Sequence, residues 1–440
     1  MKDLFFALAE RAIDGLHGNE FLLANFSGET SDFVRFNHAR VRQAMTIRQA
    51  YLALTLIEGN RRATVRVALS ADPSVDAATI DGALADLRAD LPTLPEDPYL
   101  LYSTTVNSSE LVRAGRLPDP AEAIGTIIES AQGSDLVGIL ASGPVFRGFA
   151  NSAGQRNWHA VDCFNFEWSL YHAQDKAVKS AYAGTDWNRA DAAQRIETAR
   201  ERLGFLARPP KTMQPGVCRA YLAPAAVDEL LWMLNWGGVS AKAQQTKQSP
   251  IQRLVESETR LSDRVHLREN TTDGLAPAFD EAGFVKPAAV ELIAAGRHAG
   301  ALVSPRTARE YGLDANGADD EETMQSMELG GGNLAETDAL AALDRGVYVG
   351  NLWYLNYSDR PNGRITGMTR FGTFWVDGGR IVAPLSVMRF DDSLFRMLGE
   401  NLVDFTRERE WIVNAGTYSR RSIETSRVPG TLLSALSFTL

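Results

Sequence analysis

Three features of the sequence predict an α+β protein of two domains, the first mixing helices with antiparallel strands and the second rich in strands with a few helices. Alternating β-branched and aromatic segments come in groups, not singly between helices as a parallel doubly wound sheet requires. Helical periodicity is confined to a handful of stretches. A proline-rich break, ARPPKTMQPG, divides the chain near residue 213, giving domains 1–213 and 214–440.

Residues 3–17 open the chain as a helix, with Leu4, Phe5, Leu8, Ala12 and Ile13 at helical spacing and most charge on the other face. FLLANF, DFVRFNHARVRQAMTI, AYLALTLI and RATVRVAL then read as a meander of strands, with Glu58-Gly59-Asn60 as the turn between the last two. Asp72-Pro73 and Asp119-Pro120 are helix starts, because aspartate caps free N–H groups and proline lacks an N–H where none would be bonded. Ile80, Ala83, Leu84, Leu87 and Leu91 mark the buried face of the first of these helices. DLVGILAS and VFRGFANS are short strands. NWHAVDCFNFEWSLYH is a long one, with Trp158, Ala160, Phe164, Phe166 and Trp168 on one face, and KAVKSAYAGTDW follows. A helix over ADAAQRIETARERLGFL leads into the break. After it come a strand, CRAYLAP, a helix, AAVDELLWMLNW, and a polar stretch, SAKAQQTKQSP. Strand-rich sequence follows, interrupted by helices at ETDALAALDR and DDSLFRMLGENLVDF.

Composition narrows the function. With 440 residues, 45% of them hydrophobic and 23% charged, the chain is a folded globular protein. A net charge of -10 argues against nucleic acid or anionic lipid as the main partner, since both attract a basic surface. The two cysteines, Cys163 and Cys218, are too few for a disulfide framework. No apolar run reaches the ~18 residues of a membrane span, and Glu10, Arg11 and Asp14 interrupt the apolar block a signal peptide needs. A cytoplasmic protein is expected.

The residues suggest no catalytic centre, metal site or cofactor of this chain's own. The six histidines, at 17, 38, 159, 172, 266 and 298, form no ligand pair. His159 and Cys163 are four apart on a predicted strand, which separates them by about 13 Å and points to structural roles. No G-x-S-x-G elbow is present. The run from Asp319 to Glu322 reads as a solvated face, Asp391-Asp392 as a helix start, and Glu328 to Asn333 as a flexible turn. Arg35, Arg40, Arg42, Arg48, Arg61, Arg62 and Arg66 form a basic face that suits solvent or an acidic partner. Leu230, Leu231, Trp232, Met233, Leu234 and Trp236 make a helix apolar nearly all round, as buried or interface helices are.

In their order along the chain, FVRFNHARVRQAMTIRQAYLALTLIEGNRRAT, PGVCRAYLAPAAVDELL, FDEAGFVKPAAVELIAAGRHAGALVSPRTAREYG and TGMTRFGTFWVDGGRIVAPLSVMRFDDSLFRML resemble the TldD/PmbA family. Its members are named as candidate modulators of DNA gyrase and regarded as peptidase subunits. The resemblance implies an α+β first domain, a β-rich second domain, and a dimer enclosing a cavity for unfolded peptides. The zinc-bearing type carries H-E-x-x-x-H on the helix after the PGVCRAYLAP-like strand and a further cysteine ligand near the C-terminus. Here Trp232, Met233 and Gly237 fall at those three motif positions, and no cysteine follows Cys218.

The chain therefore resembles the PmbA (TldE) type, a partner subunit without metal. The expectation is a metal-free subunit of a peptidase complex, a homodimer or a heterodimer with a zinc-bearing TldD-type homologue, that walls the cavity and grips an unfolded peptide. Trp232, Asn235, Trp236 and Tyr354 are the candidate substrate-binding residues. Two alternatives stay open: a non-enzymatic homodimer that binds a peptide or protein, and an independent hydrolase using Cys163.

Overall fold

A computed structural model of the chain describes residues 1–173 and 176–439 and arranges the strands in two sheets. The first sheet holds β1 (Phe21–Asn37), β2 (Arg40–Glu58), β3 (Arg61–Ala68), β4 (Ser109–Arg113), β5 (Asp135–Asn151), β6 (Arg156–Ala173) and β7 (Lys176–Gly184). Their order is β3-β2-β1-β5-β6-β4, with β7 also on β6. Helices α1 (Lys2–Asp14), α2 (Pro73–Asp90), α3 (Pro120–Ser130) and α4 (Arg189–Leu206) complete this half. The expected caps are in place: Asp72 accepts from the Ser74 and Val75 amides, and Asp119 from those of Ala121 and Glu122.

Three expected breaks in this sheet are absent, the one between RVRQAMTI and AYLALTLI lying inside β2, and one unexpected turn is present. FLLANF and DFVRFN are a single strand, β1, and DLVGILAS and VFRGFANS are a single strand, β5. Gly143 lets β5 bend without ending: its φ is +139°, and a Cβ there would lie 2.1 Å from the Thr30 carbonyl oxygen. DFVRFNHARVRQAMTI instead folds back on itself. His38 and Ala39, at φ +51° and +52°, make the tight turn between β1 and β2 in the handedness that suits a hairpin's twist.

The second sheet comprises β8 (Gly216–Leu222), β9 (Leu267–Glu269), β10 (Val290–Ala294), β11 (Arg297–His298), β12 (Ser326–Leu329), β13 (Gly346–Asp359), β14 (Arg364–Asp377), β15 (Arg380–Pro384), β16 (Arg389–Ser393), β17 (Leu402–Val413) and β18 (Thr425–Phe438). Strands β18, β16, β14, β13 and β8 pair in a closed circuit, because β8 bonds both β13 and β18. Helix α5 (Pro224–Trp232) follows β8 and packs on β13 and β18. The helix expected over DDSLFRMLGENLVDF is confined to its middle, residues 394–400, and both ends of the segment are strand, in β16 and β17. Buried Asp392 accepts from the Ser393 and Ser437 amides, at 2.8 and 3.0 Å, which fastens β16 beside β18. Its neighbour Asp391 pairs with Arg364 at 2.7 Å, and Asp392 also holds Arg396 at 3.2 Å, so the acidic pair ends β16 just ahead of the short helix that starts at residue 394.

Phe166 and Trp168 of β6 share one core with Tyr221, Tyr348 and Phe374 of the second sheet, so the two sheets are packed on each other. A polar clamp reinforces that contact. Arg421, on the loop between β17 and β18, is 3% exposed and reaches into the first sheet. Its guanidinium donates to the carbonyls of Gly143 and Cys163 at 2.9 and 2.7 Å and to Ser31 Oγ at 3.2 Å. Its amide donates to buried Glu29 at 3.3 Å. No helix of the described residues is long and apolar enough to cross a membrane. Arg421→Met leaves the buried carbonyls of Gly143 and Cys163 without this donor, and should weaken folding by about 1–3 kcal/mol, read as an earlier urea midpoint. An unchanged midpoint would rule the clamp out.

Candidate functional site

Strand β8 delivers the chain to α5, whose first turn carries Pro224 where no N–H is needed. Leu230, Leu231, Met233 and Leu234 fill the core of the second sheet. That packing turns Asp228, Glu229 and Trp232 to a cavity of about 500 Å³ at the junction of the two sheets. Gly350 and Gly372 contribute bare backbone to its wall, and a Cβ on Gly350 would meet the Gly372 carbonyl oxygen at 2.6 Å.

Carboxyl groups dominate the lining: Glu167, Asp228, Glu229, Glu336 and Glu410 face it, against the cations Lys179 and Arg202. Lys179 is ion-paired with Glu167, Arg195 holds Glu410 at 3.3 Å, and Arg202 sits over the Tyr348 ring at 5.1 Å. Among the described residues, Asp228 and Glu229 have no ion-pair partner of their own, and Glu229 accepts from the Leu352 amide at 2.6 Å. Burial pushes it up to about 8, the Leu352 amide and Lys179 pull it partway back, and Asp228 and Glu167 add to the rise. Burial also pushes Asp228 up to about 6, with the Ser426 hydroxyl and Trp232 indole opposing. Even so, Asp228 Oδ1 and Ser426 Oγ are both buried without a hydrogen bond of good geometry.

The same cavity lies between two strand edges. Residues 178–181 of β7 and 412–415 at the end of β17 line it consecutively. Side chains alternate across a strand, so four consecutive lining residues mean that each strand presents its edge. Among the described residues, β7 pairs as a strand only with β6 and β17 only with β18. Side chains reach both edges within the cavity, where Asn165 Nδ2 donates to Val413 O at 3.2 Å and Arg195 to Ala181 O at 3.4 Å, and farther along β17 the backbone at Leu334 bonds Phe405 and Arg407.

Of the four substrate-binding candidates, only Trp232 lines this cavity. Asn235 clamps the backbone of residue 324, accepting from the Met324 amide at 2.9 Å and donating to its carbonyl at 3.3 Å. Trp236 and Tyr354 are 51% and 76% exposed and lie outside the cavity wall. Asp228 and Glu229 went unmarked in the sequence, although they are the only two charges in the apolar run AAVDELLWMLNW.

The positions expected to carry zinc ligands do not fit the metal. Met233 is buried in the core, and Gly237 has φ +81°, where a histidine would be strained and its Cβ would meet Arg360 at 2.9 Å. Among the described residues, no group of three or more His, Cys, Asp or Glu is placed to hold an ion. Cys163 is fully buried, its thiol is pushed up by burial, and its sulfur accepts from Arg421 at 3.0 Å, which leaves the cysteine hydrolase without an accessible nucleophile. His159 is buried too, donates to the Leu275 carbonyl at 2.9 Å, and is pushed down to about 4 by burial. Two acidic readings are corrected. Glu322 is 2% exposed, not solvated, and accepts from Ser240, Lys242 and Ser304. Glu328 belongs to β12 and binds Arg268 and Arg409, at 2.9 and 2.8 Å, instead of starting a flexible turn.

Because the Glu229 pKa is raised from 4.5 to about 8, the folded state holds a proton that the unfolded chain releases. Stability should therefore fall as pH rises from about 4.5 to about 8. Glu229→Gln keeps an acceptor for the Leu352 amide but has no proton to lose. It should gain about 1–3 kcal/mol over the native protein at pH 9 and nothing at pH 4. Equal gains at both pH values would refute the buried-carboxyl assignment.

Residues 215–439 match a family model described as the PmbA/TldA metallopeptidase C-terminal domain. No curated protein matches the chain. Among solved structures, TldE from Thermococcus kodakarensis superposes with a TM-score of 0.76 over 100% of both chains at 14% identity. A candidate modulator of a DNA gyrase from Thermotoga maritima gives 0.75, over 100% of this chain and 99% of the other, also at 14% identity. Another from Bacteroides thetaiotaomicron gives 0.74, over 100% and 98%, at 16% identity. At such identities the likeness is one of fold. The family model spans more than half of the chain, and the protein belongs to the PmbA/TldD metallopeptidase family.

Proposed function

We propose that this chain is the metal-free, TldE-type subunit of a cytoplasmic metallopeptidase complex that acts on unfolded peptides. The observation that carries this reading is the cavity between the edges of β7 and β17. An extended peptide added to a strand edge is held through its backbone, so a site of this kind accepts many sequences, but only unfolded ones. Trp232, Met233 and Gly237 at the motif positions support a division of labour. In it a zinc-bearing homologue supplies the hydrolytic chemistry and this chain walls the cavity and grips the substrate.

A second reading, a homodimeric regulator, draws on the basic hairpin. Strand β3 ends opposite Tyr51, so, among the described residues, positions 40–49 of β2 have no partner strand on their outer side, and Arg40, Arg42 and Arg48 are exposed there. Salt-sensitive binding of an acidic partner, without association with any zinc-bearing homologue, would favour it.

To separate the two, the chain is purified alone and mixed with a zinc-bearing family member, and cleavage of unstructured peptides, metal content and solution mass are measured. The expected result is no cleavage by the chain alone, cleavage by the mixture, and a mixed oligomer. Full activity of the chain by itself, or a stoichiometric zinc that survives chelation, would overturn the subunit reading.

A further inference from the structure

The cavity wall formed by Asp228 and Glu229 has a chemical preference that strand-edge binding does not explain. A backbone-reading edge needs no charge, yet α5 turns two adjacent carboxyls to the cavity at the cost of burying them. Asp228 is 9% exposed and Ser426 1% exposed, and although the Ser426 hydroxyl lies beside the Asp228 carboxyl, each residue leaves a side-chain oxygen without a well-formed hydrogen bond at the cavity wall. A buried polar atom left unpaired in a folded protein is costly and calls for an explanation. Lys179, whose charge acts on Glu229, is engaged by Glu167 on the facing sheet, so among the described residues no cation forms an ion pair with Asp228 or Glu229.

From this geometry, and resting on the peptide-handling role proposed above, we propose that Asp228, Glu229 and Ser426 seat a primary ammonium of the bound peptide, its α-amino group or a lysine ε-amino group. An ammonium carries three divergent donors. Consecutive helical positions diverge by about 100°, so the two carboxyls approach a shared ligand from different directions and suit such a tetrahedral donor. A planar guanidinium engages one carboxylate through two parallel bonds and would leave the second acid unpaired. Trp232, lining the same wall, adds a π surface that attracts cations. A divalent metal ion fits less well, since no three His, Cys, Asp or Glu among the described residues converge here.

The test uses the full chain and one unstructured peptide with a single lysine, made in four forms: unmodified, N-acetylated, lysine-acetylated, and doubly acetylated. Affinity is measured by calorimetry. The doubly acetylated form should bind at least about tenfold more weakly than the unmodified one, the loss expected for removing a charge-assisted hydrogen bond. Whichever single acetylation reproduces that loss identifies the ammonium source. In the isosteric double variant Asp228→Asn, Glu229→Gln the four forms should bind alike, at the level of the doubly acetylated peptide. Equal affinity of all four forms for the native chain overturns the ammonium site but leaves the peptide-binding reading standing. No binding of any form, alone or with a zinc-bearing homologue present, overturns both. Tight binding of magnesium or zinc ions that the double variant loses also overturns the ammonium site.

Discussion

The constraint on which this structure turns is the burial of α5. Leu230, Leu231, Met233 and Leu234 must leave water together, and the core of the second sheet is where they do so. At 3.6 residues per turn, a helix that commits those positions to a core has no freedom left in where it points the others. Asp228 and Glu229 are thereby carried to the junction with the first sheet. Desolvation there holds them protonated far above the ordinary carboxylate range.

That junction is itself a compromise between closure and access. Apolar packing of Phe166 and Trp168 against Tyr221 and Phe374 draws the sheets together, and Arg421 bolts the loop after β17 into the first sheet. The edges of β7 and β17 are brought face to face but not into pairing, which leaves the cavity between them. A tighter junction would join the two edges and abolish the site. A looser one would flood it and return its carboxyls to their ordinary protonation.

Much of the fold was legible in the residues, and the failures have a common cause. The Asp-Pro helix starts at residues 72 and 119 were readable because capping is a local interaction. The turn at His38-Ala39 was not, because neither residue advertises positive φ and the alternation runs straight through it. DDSLFRMLGENLVDF misled for a similar reason: its apolar spacing suits a helix, but buried Asp392 bonds the Ser437 amide, a partner 45 positions away. Of the residues singled out in sequence, Trp232 lies in the cavity wall and Asn235, Trp236 and Tyr354 lie elsewhere, because a strip of apolar sequence does not reveal which of its residues face a cavity.

Sequence alone determined that this is an α+β chain, and it determined which atoms stand at the metal-motif positions of the family: an indole, a thioether and bare backbone. Those are properties of local pattern and of side-chain chemistry, which no fold can alter. Only the tertiary structure decided that Asp228 and Glu229 share a wall with two strand edges, and that Glu322 and Glu328 are structural. Those outcomes depend on which groups lose water when distant segments meet, and neither burial nor an unpaired edge is written in any stretch of neighbouring residues.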